Sequence, residues 1–254
     1  MSWIDTYERA GKVIFEVDSI VYANDILTQI EVSAYEATGK EVAGSLPSPI
    51  LDLACGPGRH SAALKNRGHT VIGLDYSNSF LTIAKNRNIA VPFINGDGRA
   101  LPFIDQSFGS VLICGNSFGY GSDEENERML QEASRVLKHG GILVFDITDK
   151  QRFISNIKPY SRELIETSSF GTVVDERWRS WSEDDLRVHA RKRHVSDTQG
   201  DLLDTNYVIR LYGEDEIRTV IEKYFPVVHI SRMEEFVDTQ AGLMNNRILI
   251  AAVK

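Results

Sequence analysis

The stretch from Ile50 to Asp75 constrains this chain more than any other, because it dictates a complete folding unit and its handedness. Ile50, Leu51, Leu53 and Ala54 form a short apolar run, the pattern of a strand buried on both faces. Gly56, Pro57 and Gly58 stop it, and Ser61 to Arg67 follow with helical spacing that turns Ala62, Ala63 and Leu64 inward. Gly68 closes the helix, and a second apolar run, His69 to Leu74, ends in Asp75. Strand, glycine turn, helix and strand in this order require a right-handed crossover within a parallel sheet.

The unit has a chemistry of its own. A glycine turn at a helix start lets a ligand approach main-chain N–H groups. An acid at the tip of the next strand, here Asp75, is placed to accept hydrogen bonds from both hydroxyls of a ribose. A dinucleotide fingerprint has a third glycine where this chain has Ser61, which counts against NAD. The pattern Asp52-x-x-x-Gly56-x-Gly58, within LDLACGPGRHS…GLDYS, instead resembles motif I of the class I S-adenosylmethionine-dependent methyltransferases. The resemblance implies S-adenosylmethionine as cofactor, with Asp52, Ala54, Cys55, Gly56 and Gly58 in its turn.

Further motifs follow in order. Ser77 is an N-cap for a helix to about Arg87, and Val91 to Asn95 is a short strand. It runs into Gly96-Asp97-Gly98-Arg99-Ala100-Leu101-Pro102-Phe103, which resembles the family's adenine motif. That implies Asp97 as acceptor for the adenine amino group, the backbone N–H of Gly98 as donor, and Tyr76 packed on the ring. Ser110 to Cys114 is a fourth strand, and the loop from Gly115 to Gly121 borders the crevice where a doubly wound sheet binds ligands. Cys114 and Asn116 join the cofactor set, and Asn116, Tyr120 and His60 are the candidates for orienting the acceptor or removing its proton. The DNA amino-methyltransferase sequence of Asn or Asp, two prolines and an aromatic is absent here, which counts against a nucleic-acid base as acceptor. RVLKHGGILVFD resembles the helix–turn–fifth-strand block, with His139 a solvated turn residue and Asp146 at the rim, placed to orient substrate.

The expected fold is α/β: a Rossmann-like, doubly wound, seven-stranded mixed sheet with an antiparallel β insertion after the fifth strand. Residues 1–45 form a helical cap with a stop at Gly39, where Tyr7 and Tyr22 are pocket candidates. Residues 46–148 and 213–254 form the core, and 149–212 the inserted meander, with strands Thr172 to Trp181, Leu186 to Asp197 and Leu202 to Tyr212. The resemblance implies that such an insertion selects the acceptor or joins subunits into a homo-oligomer. Period two puts Arg177 and Arg179 on one face of their strand, and Arg187, His189, Arg191 and Arg193 on one face of the next. Aligned by register, they would make a basic surface for an anionic acceptor; the alternative is a solvated face paired with Asp175, Glu176 or Glu183.

Composition narrows the function classes. Hydrophobic residues are 42% of 254, enough for a core, and the net charge of −8 counts against nucleic acid as partner. Two cysteines, Cys55 and Cys114, fit a reducing compartment, carry no zinc signature and are expected side by side without a bond. No apolar run reaches a membrane span, so a cytoplasmic protein without membrane contact is expected. The reading is methyl transfer to nitrogen or oxygen of a small molecule. RNA or protein methylation, and a cofactor binder without catalysis, are the alternatives.

Overall fold

A computed structural model describes residues 3–21, 25–87, 90–236 and 246–254; for residues 3–7, 9, 21, 235 and 236 it describes the backbone alone. Tyr22 and the side chain of Tyr7 therefore lie outside the described residues. Two helices, α1 (Trp3–Val21) and α2 (Asp25–Ala43), open the chain. The core then alternates: β1 (Ile50–Leu53), α3 (Arg59–Asn66), β2 (Val71–Asp75), α4 (Asn78–Asn86), β3 (Phe93–Asn95), β4 (Phe108–Ile113), α5 (Asp123–Val136), β5 (Leu137–Thr148). After α6 (Lys150–Asn156) come β6 (Tyr160–Thr167), β7 (Gly171–Ser182), β8 (Arg187–Ser196) and β9 (Gly200–Arg210). The chain returns to the core through α7 (Glu214–Glu222), β10 (Val227–Arg232) and β11 (Arg247–Val253).

The large sheet has the order β10-β11-β5-β4-β1-β2-β3. β1 to β5 run parallel, and β11 is antiparallel to both of its neighbours. Strand order reverses between β1 and β4, whose residues are buried throughout, as strands covered on both faces must be. Alternate side chains feed two cores. Leu51, Leu53, Val111 and Ile113 pack with Leu130 and Ala133 of α5 and Ile217 and Ile221 of α7. Ile50, Leu112 and Val144 pack with Val32 and Tyr35 of α2 and Ala63 and Leu64 of α3.

The structure differs from expectation in several places. Gly39 does not stop a helix: α2 runs on to Ala43, and a Cβ at Gly39 would meet the Leu46 side chain at 3.1 Å, so the glycine permits close packing. The helix ends at Gly44 (φ 75°), whose N–H donates to the Lys40 carbonyl. His139-Gly140-Gly141 does not precede the fifth strand but lies inside β5, where the register to β4 shifts between Phe108 and Ser110. The insertion has four strands, ordered β6-β7-β8-β9, because β6 pairs with β7 in a hairpin whose exposed Leu164 breaks the period-two signal.

Register also overturns the alignment of the arginines. Arg177 stands opposite Lys192 and Arg179 opposite Ala190, so both lie on the face turned towards α1. Arg187, His189, Arg191 and Arg193 lie on the other face. There Arg191 pairs with Asp204 at 2.6 Å, Arg193 with Asp201 at 2.7 Å and Arg187 with Asp123 at 3.0 Å.

Candidate cofactor and acceptor site

A cavity opens at the carboxyl ends of β1, β2 and β4, where the strand order reverses. Its floor is the turn after β1. Ala54, Gly56 and Gly58 all have positive φ (60°, 54° and 77°), so the chain folds back within five residues. For Ala54 that is a strained conformation of the kind that gathers at functional sites. Helix α3 starts at Gly58 with no side-chain cap, leaving main-chain donors at its N-terminus.

Asp75 ties the two strand-end turns together. Its Oδ2 accepts from the Gly56 N–H at 2.7 Å and its Oδ1 from the Ser77 N–H at 2.8 Å. Burial, the largest influence, pushes its pKa up to about 6 against those two hydrogen bonds, with Asp52 and Glu8 adding to the push. Tyr76 follows at the rim, 47% exposed. Across the cavity, Arg99 grips Asp97 with two parallel bonds, Nε to Oδ1 at 2.9 Å and Nη2 to Oδ2 at 2.7 Å, and holds its pKa below the ordinary value. Gly98 fits between Met129 and Leu53, where a Cβ would approach within 3.0 and 3.1 Å.

Ala54, Cys55, Gly56, Asp75, Tyr76, Asp97, Gly98, Cys114, Asn116, His60 and Tyr120 all line this cavity. Cys55 and Cys114 lie just past the ends of the adjacent strands β1 and β4, unbonded, with both thiol pKa values pushed well up, foremost by burial. Asp52 and Gly58 do not line it. Asp52 is fully buried and its Oδ2 accepts from Ser61 Oγ at 2.5 Å, so it braces the turn from behind. Gly58 is held by sterics: a Cβ there would meet Phe93 at 2.7 Å.

A buried polar network supports the far end of the cavity, and most of its members carry no sequence signal. Asp146 does not reach the rim. Its carboxylate accepts from the N–H groups of Gly115 and Asn116, each at 2.8 Å, from the Tyr35 hydroxyl at 2.5 Å and from Arg247 Nε at 2.8 Å. It thereby fixes the loop after β4, where Asn116 has φ 59° and accepts from the Thr148 N–H at 2.8 Å. Glu31, only 2% exposed, accepts from His60 Nε2 at 2.8 Å and pairs with Arg59 and Arg247. Burial alone would raise its pKa, but Arg247, His60 and Arg59 together hold it well below the ordinary value. The one available hint was periodicity, since Leu27, Glu31 and Tyr35 share a helix face and two of them are apolar.

Residues 50–141 match the model of a family described as a methyltransferase domain. A demethylmenaquinone methyltransferase of Renibacterium salmoninarum is 37% identical over 122 residues, 48% of this chain and 50% of the relative. The chain thus spans about half the length of the curated relative it matches. Two solved structures share the fold. An S-adenosylmethionine-dependent methyltransferase from Clostridium acetobutylicum superposes with a TM-score of 0.74 at 18% identity, covering 96% of this chain and 98% of that one. The sugar N-methyltransferase KedS8 from a Streptoalloteichus species gives 0.71 at 20%, covering 89% and 87%. Residues 50–141 thus match a methyltransferase domain, and the chain shares its fold with solved S-adenosylmethionine-dependent methyltransferases. The cavity suits that cofactor: a buried carboxylate at a strand tip faces a glycine turn and an uncapped helix start.

Proposed function

We propose that this protein methylates a nitrogen or oxygen atom of a small molecule. The observation that carries the reading is the cavity itself, with Asp75 at one end and the loop bearing Asn116 and Tyr120 at the other. Asp75 would hold the ribose hydroxyls, Tyr76 and Asp97 the adenine, and the turn at Ala54, Cys55 and Gly56 the amino-acid portion. Bound there, S-adenosylmethionine supplies a methyl carbon on a positively charged sulfur. The positive charge is consumed as the methyl leaves, so the main contribution of the chain is to hold the acceptor atom in line. The acceptor's proton passes to a base as the new bond forms, and the electron pair of the broken carbon–sulfur bond stays on sulfur. His60, Tyr120 and Asn116 are the candidates for that end of the site. In the tautomer that donates Nε2–H to Glu31, His60 Nδ1 is an acceptor, the state a general base requires.

Two observations favour a small acceptor. The related proteins named for a substrate act, by those names, on a quinone precursor and on sugars. The net charge of −8 counts against RNA. Release of S-adenosylhomocysteine is to be measured against a panel of amines, phenols and hydroxylated metabolites, alongside calorimetry with S-adenosylhomocysteine itself. Binding with turnover supports the reading. Binding without release from any acceptor would instead mark a cofactor-binding protein that has no transferase activity.

A further inference from the structure

β7, β8 and β9 pair in register, so the side chains on their inward face stand in transverse rows. At one end Trp181, Val188 and Ile209 form an apolar row against the loop after β4. Gly119 lies so close that a Cβ there would meet the Arg210 carbonyl at 2.7 Å and Ile209 at 3.6 Å. At the other end Val173 and Leu203 pack with Val13, Ile14 and Val17 of α1 and with Phe80, which also lines the cavity. From Ile209 to Leu203, β9 covers roughly 20 Å at the ordinary strand rise. It therefore runs between the loop after β4 and Phe80, two segments that line the cavity, with the other inward rows between them.

Those rows carry an unbalanced charge. Arg177, Arg179 and Lys192 are three cations, and the carboxylates shown to meet them among the described residues are Asp18 of α1 and Asp175 of β7. Arg177 pairs with Asp175 at 2.7 Å and Lys192 with Asp18 at 2.9 Å, which uses both. The adjacent His194 is fully buried, and burial lowers its pKa, so it adds no charge at neutral pH. Arg179 is the excess. It is half-buried, donates to Ser161 Oγ at 3.3 Å, and pairs with no carboxylate among the described residues. In its row it faces Ala190, which is buried, and then Tyr207, which packs against the same apolar cluster. The Tyr207 hydroxyl has no hydrogen-bond partner among the described residues, and Arg179 shares its row.

We propose that Arg179 and Tyr207 hold an oxyanion of the methyl acceptor, a carboxylate or a phosphate, on the inward face of the inserted sheet. The inference rests on the methyltransferase reading above and adds the chemical class of the substrate. A planar guanidinium binds such a group through two parallel hydrogen bonds, and a phenol beside it supplies a third. A half-buried, unpaired cation is costly, and an incoming anion relieves that cost.

The test uses the whole protein saturated with S-adenosylhomocysteine, with inorganic phosphate and acetate as probes, and compares wild type with R179Q, R179K and Y207F. Expected is saturable anion binding by the wild type, weakened about tenfold or more in R179Q and less in R179K and Y207F. The affinity for S-adenosylhomocysteine should not change. In parallel, candidate acceptors are assayed as free acids and as their methyl esters, and the wild-type preference for the acid should collapse in R179Q. Absent anion binding by the wild type, or equal binding by R179Q, overturns the inference. So does turnover indifferent to both the ester and the arginine. Failure to bind S-adenosylhomocysteine at all would instead overturn the underlying reading. Should R179Q not fold, Y207F and R179K decide, since neither removes the packing of the β7 side chain.

Discussion

Asp75 at the cavity and Asp146 behind it direct their carboxylates to main-chain N–H groups, Asp146 to Arg247 as well, whereas Asp201 and Asp204 in the inserted sheet meet arginine side chains. The first kind of contact fixes the path of the chain, because an N–H cannot move without the backbone. The second joins flexible side chains over a path already set by the strand ladder. Removing a carboxylate should therefore be severe in the core and mild on the outer face of the insertion.

The largest effect is expected at Asp146, which is fully buried and braces Gly115, Asn116 and Arg247 at once. Asp146→Ala removes one of the two carboxylates that pair with Arg247 among the described residues and should cost about 3–5 kcal/mol of stability, read by urea denaturation. A loss below about 1 kcal/mol would mean that the loop after β4 holds itself, and the contrast between the regions would disappear. Asp75→Ala comes next and acts on binding. Losing the charge-assisted bonds to two hydroxyls should cost about 3 kcal/mol, roughly a hundredfold in the dissociation constant for S-adenosylhomocysteine. The fold should survive, because the deleted carboxylate was itself disfavoured by burial. An unchanged constant in calorimetry would remove Asp75 from the site.

Acidity sharpens the same comparison with a smaller effect. Asp75 has a folded pKa of about 6 against an ordinary 3.8, so burial favours its protonated form. Its contribution to stability is full below 3.8 and is lost as pH rises through about 6. Ribose hydroxyls need the ionised form, so affinity for S-adenosylhomocysteine should move the other way, weakening about tenfold per unit as pH falls below 6. Asp97, held below its ordinary pKa by Arg99, stays ionised throughout that window and adds nothing to it. Asp75→Asn should flatten the binding profile. A slope that persists in that variant would assign the titration to another group.

The parts of this architecture that could be read from the chain are those fixed within a few residues. The run from Ile50 to Asp75 contains its strand, turn, helix and strand in one stretch, and the structure reproduces it with ends shifted by a residue or two. Ser77 caps the helix that its position suggests, accepting from the main-chain N–H three residues on. Asp52 lies behind the turn and not in the cavity, a placement its strand does not announce. β1 is buried on both faces, so its pattern does not say which residues face the cavity. The Glu31–Arg247 pair spans 216 positions, and nothing local announces it. In the insertion, alternation gave the faces of each strand correctly but not the phase between strands. One residue of register decides whether two sets of arginines join or part.

The smallest effect is expected where the arginines are most numerous. Arg191 is 46% exposed, pairs with Asp204 at 2.6 Å and lies over the Trp178 ring at 5.0 Å. Exposed pairs of this kind are screened by water and salt and add little to stability. Arg191→Gln should leave the melting temperature, the affinity for S-adenosylhomocysteine and the acceptor Michaelis constant where they were. Arg179 faces the other way and has no carboxylate partner among the described residues, so R179Q and R191Q compare the two faces of one sheet. A rise in the acceptor Michaelis constant in R179Q alone would assign acceptor binding to the inner face. A rise in both would mean that charge at long range attracts the acceptor, and the effect should then fade in 0.5 M salt, where the screening length is only about 4 Å. A change in oligomeric state in R191Q, measured by light scattering, would place a subunit contact on the outer face and end the claim that its charges are merely solvated.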